Sequence, residues 1–128
     1  MPDTTKPFSC TVVARRQAVH VCPAGELDLS TAPELDARLA EIHLAGFDKI
    51  ALDLSGVTFL DSCGVHLVMR WTRRSADERF EFAVIAISDV VERVLKLTGA
   101  KPHLLAGARR GRPRAWASDL TWPTSAAD

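Results

Sequence analysis

The chain has 128 residues, of which 47% are hydrophobic, and it carries 16 basic and 16 acidic side chains. This length and composition predict one globular domain with its own core. The balanced charge argues against direct nucleic-acid binding. The longest uninterrupted apolar run, residues 82–87, is far too short to span a membrane, and residues 1–8 lack the features of a signal peptide. We therefore expect a cytoplasmic protein without membrane association.

The three cysteines, Cys10, Cys22 and Cys63, are odd in number and show no C-x-x-C spacing. This pattern argues against both a disulfide framework and a zinc site. The four histidines are scattered and likewise show no ligand spacing. The sequence therefore predicts reduced thiols, no metal and no cofactor.

Two short β-prone runs, residues 8–14 and 18–22, are separated by three polar residues and predict an antiparallel hairpin at a sheet edge. Residues 23–25 are predicted to end the second run. A helix is then predicted from Thr31, because Thr31 and Glu34 have the spacing of a capping box. Leu35, Leu39 and Ile42 give this helix one apolar stripe, and Gly46 is placed to end it.

The central stretch, residues 49–71, reads KIALDLSGVTFLDSCGVHLVMRW. Its first residues alternate as in a strand with a buried face, until Ser55 and Gly56 interrupt the pattern. A brief apolar passage, residues 57–60, then leads to a turn in which Asp61 or Ser62 can cap a helix. Free backbone N–H groups at such a helix start favour anions, so a phosphoryl group on this turn could switch a surface.

Residues 80–87 form a nearly continuous apolar run, which is typical of a strand covered on both faces. Ser88 or Asp89 is placed to cap another helix, whose predicted apolar stripe comprises Val90, Val91, Val94 and Leu95. Gly99 is placed to end it. Strands alternating with helices predict right-handed crossovers and a parallel central sheet. Residues 106–128 show no lasting periodicity and are predicted to be disordered.

The phrase LDLSGVTFLDSCGVHLVMR resembles the signature of STAS domains, in particular the anti-sigma factor antagonist family of bacteria. A second phrase, GELDLSTAPEL, resembles the stretch before the first helix in that family, and LTG at 97–99 is also frequent there. The resemblance implies an α/β STAS fold over residues 8–105, with a mixed four- to five-stranded sheet and helices packed against it. Residues 106–128 fall outside it.

Members of that family carry a D-S-[ST]-G turn, and a partner serine kinase, the anti-sigma factor, phosphorylates its second hydroxyl and abolishes binding. Here Cys63 occupies that acceptor position, which leaves Ser62 as the remaining candidate for phosphorylation. The resemblance implies a non-enzymatic antagonist, a monomer or weak homodimer, that binds the kinase and so releases a sigma factor for transcription. The implied partner-binding residues are Asp28, Ser30, Thr31, Asp61, Ser62, Cys63, Gly64 and His66.

The missing hydroxyl at position 63 keeps two alternatives open. One is a structural or sensory STAS subunit that assembles with other STAS proteins and is not regulated by phosphorylation. The other is a redox-active cysteine protein. Cys63 and His66 could pair as thiolate and imidazole, but no third group to orient the histidine is identifiable, and a phosphatase-type loop would need Arg where Met69 stands. We therefore predict no catalytic residue, and we expect Gly64 to permit close approach of the partner.

Overall fold

The computed structural model describes residues 8–15 and 18–99. These residues form, in chain order, β1 Ser9–Arg15, β2 Ala18–Leu27, α1 Ala32–Leu44, β3 Lys49–Leu54, β4 Gly56–Leu60, α2 Ser62–Glu78, β5 Glu81–Ile87 and α3 Asp89–Thr98. The predicted tail, residues 106–128, and the predicted domain end at residue 105 lie outside the described residues. None of the helices within 8–15 and 18–99 is long and apolar enough to cross a membrane.

The strands form one mixed five-stranded sheet with the order β1-β2-β3-β5, in which β4 also pairs with β2. β1 is antiparallel to β2, and the remaining pairs are parallel. The predicted edge hairpin and parallel centre are therefore confirmed. β2 has two partners on one side: its first half pairs with β3, as at Val19 and Ile50, and its second half pairs with β4, as at Leu27 and Leu60.

The core forms where the apolar stripes of the helices pack against alternating strand residues. Leu35 and Leu39 of α1 are fully buried, as the predicted stripe requires, and Trp71 of α2 is the largest fully buried side chain. In α3, Val91 and Leu95 are buried, but Val90 is 36% exposed, so the predicted stripe is too wide by one residue. The helix starts at Asp61 and Ser88 are confirmed.

The second strand does not end at residues 23–25, as predicted, but continues to Leu27. Pro23 is tolerated because it lies between the last residue paired with β3, Val21, and the first paired with β4, Ala24. A proline nitrogen cannot donate to the sheet ladder, and at this changeover it has no ladder partner on that side. Gly25 adopts a φ of 107° next to a β-bulge, a conformation that favours glycine.

Two further features depend on contacts that the sequence pattern did not reveal. The brief apolar passage at residues 57–60 is a strand, β4, because the extended β2 supplies its pairing partner. The capping box does not form, since the Thr31 side chain makes no cap hydrogen bond to α1. Its hydroxyl instead donates to the Glu26 carbonyl at 2.6 Å and accepts from Asp28 N at 2.9 Å. Thr31 therefore shapes the loop before the helix.

Candidate functional site

The site is formed by two chain segments at one end of the sheet. β2 and β4 are parallel neighbours that finish side by side at Leu27 and Leu60. The segments that follow them, the Asp28 loop (residues 28–31) and the α2 turn (residues 61–64), therefore emerge together. Asp61 N donates to the Leu27 carbonyl at 3.3 Å, which continues the pairing into the turn. The two motifs singled out in the sequence are thus brought together.

Asp61 joins the two segments through a single carboxylate. Its Oδ1 accepts hydrogen bonds from Cys63 N at 2.9 Å and Gly64 N at 3.2 Å, which caps α2. Its Oδ2 accepts from Leu29 N at 3.2 Å, across 32 residues of sequence. The position of the Asp28 loop is therefore fixed relative to the start of α2.

Asp28 organises its own loop in the same way. Its Oδ1 accepts from Ser30 N at 3.0 Å, Ser30 Oγ at 2.8 Å and Thr31 N at 3.2 Å. These hydrogen bonds lower the pKa of Asp28 below its ordinary value, because they favour the charged carboxylate. The bond from the Ser30 hydroxyl has the largest effect. The loop therefore presents a fixed backbone and an ionised carboxylate at neutral pH.

Three predicted site residues on α2 differ in their exposure. Ser62 and His66 are exposed and lie on one helix face, since residues four apart are neighbours on a helix. Cys63 is half-buried and packs against the core cluster. Within the described residues, no hydrogen bond joins the Cys63 thiol to the His66 ring, so the thiolate–imidazole pair gains no support from the geometry.

Gly64, which was expected to permit the close approach of a partner, is buried and packs against the interior of the domain. A Cβ added there would lie 2.5 Å from Leu60 Cδ1 and 3.0 Å from Leu27 Cγ. Such distances require the neighbouring side chains to move. Gly64 therefore lets the first turn of α2 pack directly on the ends of β2 and β4.

The start of α2 was expected to offer backbone N–H groups without hydrogen-bond partners, but two of these groups already have one. Asp61 Oδ1 already accepts from Cys63 N and Gly64 N, so these groups are not available to an incoming anion. The carboxylate also brings negative charge to the turn. A phosphoryl group on position 62 or 63 would be repelled by this carboxylate, which also accepts the hydrogen bond from Leu29 N.

Two exposed apolar side chains at this end of the sheet were not identified from the sequence. Leu29 is 73% exposed in the Asp28 loop, and Phe59 is 47% exposed on β4. The sequence does contain a sign of the exposed Leu29, because this leucine stands alone between Asp28 and Ser30 in a loop of polar residues. Phe59 gave no such signal because it lies in an apolar passage whose other members are mostly buried.

The other cysteines lie away from this site and are poorly disposed to react. Burial raises the pKa of Cys10, and burial together with the charge of Asp53 raises the pKa of Cys22 to about 12. Both thiols therefore stay protonated at neutral pH. Because the thiolate is the reactive form of cysteine, neither side chain is disposed to react. The residues described by the structure contain no group of three His, Cys, Asp or Glu side chains arranged to hold a metal ion.

Comparison with known proteins identifies the family of this chain. The protein-family model described as "Mlab, STAS domain" matches residues 10–110. The chain belongs to the STAS domain family. The anti-sigma-B factor antagonist of Staphylococcus aureus strain NCTC 8325 is 31% identical to this STAS domain over 77 residues, which cover 60% of this chain and 71% of the relative. Within the STAS domains, the chain therefore belongs to the anti-sigma factor antagonist family.

Solved structures confirm the predicted STAS fold. An anti-sigma factor antagonist from Mycobacterium paratuberculosis superimposes with a TM-score of 0.67 at 25% identity, covering 78% of this chain and 86% of the other. The Bacillus cell fate determinant SpoIIAA in its phosphorylated form gives a TM-score of 0.58 at 23% identity, covering 75% of this chain and 86% of the other. The second likeness concerns the fold alone.

Proposed function

We propose that this STAS domain is an anti-sigma factor antagonist that binds an anti-sigma factor serine kinase and thereby releases a sigma factor for transcription. The observation that carries the proposal is the Asp61 carboxylate, which holds the Asp28 loop and the α2 turn in one fixed arrangement. Family membership supplies the class of partner. The proposed role is binding without catalysis, in the cytoplasm, by a monomer or weak homodimer.

The arrangement favours binding because its polar groups are already positioned before a partner arrives. Ordering loops and side chains on association costs free energy, and a surface fixed in advance avoids much of that cost. Among the predicted partner-binding residues, Ser30, Ser62 and His66 are exposed, while Asp28, Thr31 and Cys63 are partly buried. Gly64 supports this surface from beneath.

Cys63 changes the expected regulation. A serine kinase transfers its phosphoryl group to a hydroxyl held in line with the donor, and a displacement of about 1 Å can cost about a hundredfold in rate. Ser62 precedes Cys63 by one residue on the helix, which turns its direction by about 100°. We infer that the protein binds its kinase but is not readily phosphorylated, and so stays active or is controlled through the thiol.

A structural or sensory STAS subunit is the second candidate. The observations that favour it are the thiol at position 63 and the description of the matching family model, which names Mlab. Such a subunit would assemble with other STAS proteins and would not bind an anti-sigma factor kinase. Binding to purified kinases therefore separates the two candidates.

The test is a calorimetric titration of the wild-type chain with each purified ATPase-fold anti-sigma factor kinase of the source organism. Ser62→Gln is expected to weaken the interaction at least about tenfold, since added bulk at the centre of an interface disrupts packing. Ala76→Gln is the matched control: Ala76 is exposed on the same helix, 14 residues and about 21 Å further along. It should change the affinity less than about twofold.

Failure of the wild type to bind any of these kinases would overturn the proposal and favour the STAS subunit. Equal effects of Ser62→Gln and Ala76→Gln would show that the kinase binds elsewhere on the domain. Circular dichroism melting of both variants is needed alongside, so that loss of binding is not confused with loss of folding.

A further inference from the structure

The described residues contain six exposed large hydrophobic side chains, and two of them, Leu29 and Phe59, lie at the proposed kinase-binding end of the sheet. A single exposed leucine is ordinary on a protein surface, so exposure alone decides nothing. What distinguishes Leu29 is its backbone. Its own N–H is held by Asp61 Oδ2, and the next two residues are held by Asp28 Oδ1. The loop therefore keeps this side chain 73% exposed at a defined place.

Phe59 owes its placement to the β-bulge between β2 and β4. Gly25 pairs with Val57, but the following residue, Glu26, pairs with Phe59, so Thr58 is left out of the register. A bulge of this kind re-aims the side chains that follow it. As a result Phe59 lies opposite Glu26, while the next pair, Leu27 and Leu60, is buried.

The ionised side chains of the two segments that carry Leu29 and Phe59 have one sign. Residues 26–31 and 55–66 contain three carboxylates, those of Glu26, Asp28 and Asp61, and neither segment contains Lys or Arg. Glu26 is exposed, and the lowered pKa of Asp28 keeps its carboxylate ionised. A partner that buries Leu29 and Phe59 must approach this negative field, so basic side chains on the partner would complement it.

We propose that Leu29 and Phe59 are the apolar anchors of the kinase-binding surface, and that the kinase receives each of them against apolar side chains bordered by Lys or Arg. This inference rests on the proposed function and adds the chemistry of recognition to it. Interfaces are commonly dominated by a few apolar anchors with a polar rim. Here the rim is acidic and the anchors stand at the C-terminal ends of β2 and β4.

Leu29→Ala tests the anchors, with Leu44→Ala as the matched control, because Leu44 is 85% exposed at the end of α1. The probe is the purified anti-sigma factor serine kinase that binds the wild type. We expect Leu29→Ala to weaken binding about 10- to 100-fold, as removal of a buried apolar anchor does. Phe59→Ala should act in the same direction, and Leu44→Ala should change the affinity less than about twofold.

Glu26→Lys tests the acidic rim, with Glu41→Lys, an exposed charge reversal on α1, as its control. We expect Glu26→Lys to weaken binding and to reduce its dependence on salt, since charges near the interface are screened by added salt. Glu41→Lys should do neither. Melting curves for all variants exclude unfolding as the cause.

The outcomes separate this inference from the proposed function. If the kinase binds the wild type and Leu29→Ala behaves like Leu44→Ala, the anchors are overturned while the antagonist function stands. If Glu26→Lys behaves like Glu41→Lys, the basic border is overturned. If no anti-sigma factor kinase binds the wild type, both the function and the inference fall.

Discussion

Replacing Asp61 should damage both stability and the shape of the site, because one carboxylate performs two tasks. Asp61→Ala removes the cap of α2, formed with Cys63 N and Gly64 N, and the link to Leu29 N. Loss of an N-cap costs about 0.5–2 kcal/mol. Loss of the hydrogen bond to Leu29, in its exposed setting, adds roughly 0.5–1.5 kcal/mol. The free energy of unfolding should therefore fall by about 1–3.5 kcal/mol.

Asp61→Asn separates the two tasks. Asparagine is as good an N-cap as aspartate, so its oxygen can keep the bonds to Cys63 N and Gly64 N. Its NH2 group would then face Leu29 N, and two donors cannot bond to each other. This variant should lose only about 0.5–1.5 kcal/mol, yet it should weaken kinase binding, because the Asp28 loop is no longer fixed to α2.

Thermal melting with denaturant titration measures both variants. For a domain of this size, the loss predicted for Asp61→Ala corresponds to a Tm lower by roughly 4–15 °C. Asp61→Asn should fall between Asp61→Ala and the wild type. If Asp61→Ala melts like the wild type, the cap contributes nothing. If Asp61→Asn matches the wild type in both melting and binding, the hydrogen bond between Leu29 N and Asp61 contributes to neither stability nor kinase binding.

Three further predictions concern other parts of the domain. Gly64→Val should lower the free energy of unfolding by about 1–3 kcal/mol, because the Cβ of the valine would lie 2.5 Å from Leu60 Cδ1. The kinase affinity per folded molecule should change little. A melting temperature equal to that of the wild type would contradict the inward packing of Gly64. Because the pKa of Asp28 is lowered by folding, its contribution to stability is present above the unfolded pKa of about 3.9 and is lost as the pH falls below it. Melting followed through this range should show a smaller acid loss in Asp28→Asn than in the wild type, and equal losses would refute the assignment. A chain ending at Leu105 should keep a cooperative melting transition if the domain spans residues 8–105, and loss of that transition would move the boundary.

Local patterns in the sequence predicted the features that depend on local chemistry. The stripe of α1 and the starts of α2 and α3 were identified because periodicity and capping involve residues close in the chain. The extension of β2 and the existence of β4 were not, because each strand is stabilised by the other across about thirty residues of sequence. The β-propensity of a short segment does not reveal such a partner.

In the site, too, the local features could be predicted from the sequence and the long-range contacts could not. The resemblance pointed to both segments, and the structure brings them together, but the atom that joins them could not be inferred. Asp61 Oδ2 reaches Leu29 N only because β2 and β4 end side by side. For the same reason the inward direction of Gly64 was missed, since it depends on Leu27 and Leu60. Thr31 was misread because its loop contacts compete with the predicted capping box.

The proposed function requires that an anti-sigma factor serine kinase recognise this surface and find a thiol where the family carries a hydroxyl. The most direct measurement is the intact mass of wild type and of Cys63→Ser after incubation with the purified kinase and ATP. We expect Cys63→Ser to gain one phosphoryl group, located at position 63 by peptide mapping, while the wild type remains unmodified. Equally ready phosphorylation of the wild type on Ser62, or the failure of every such kinase to modify Cys63→Ser, would contradict the proposed regulation through position 63.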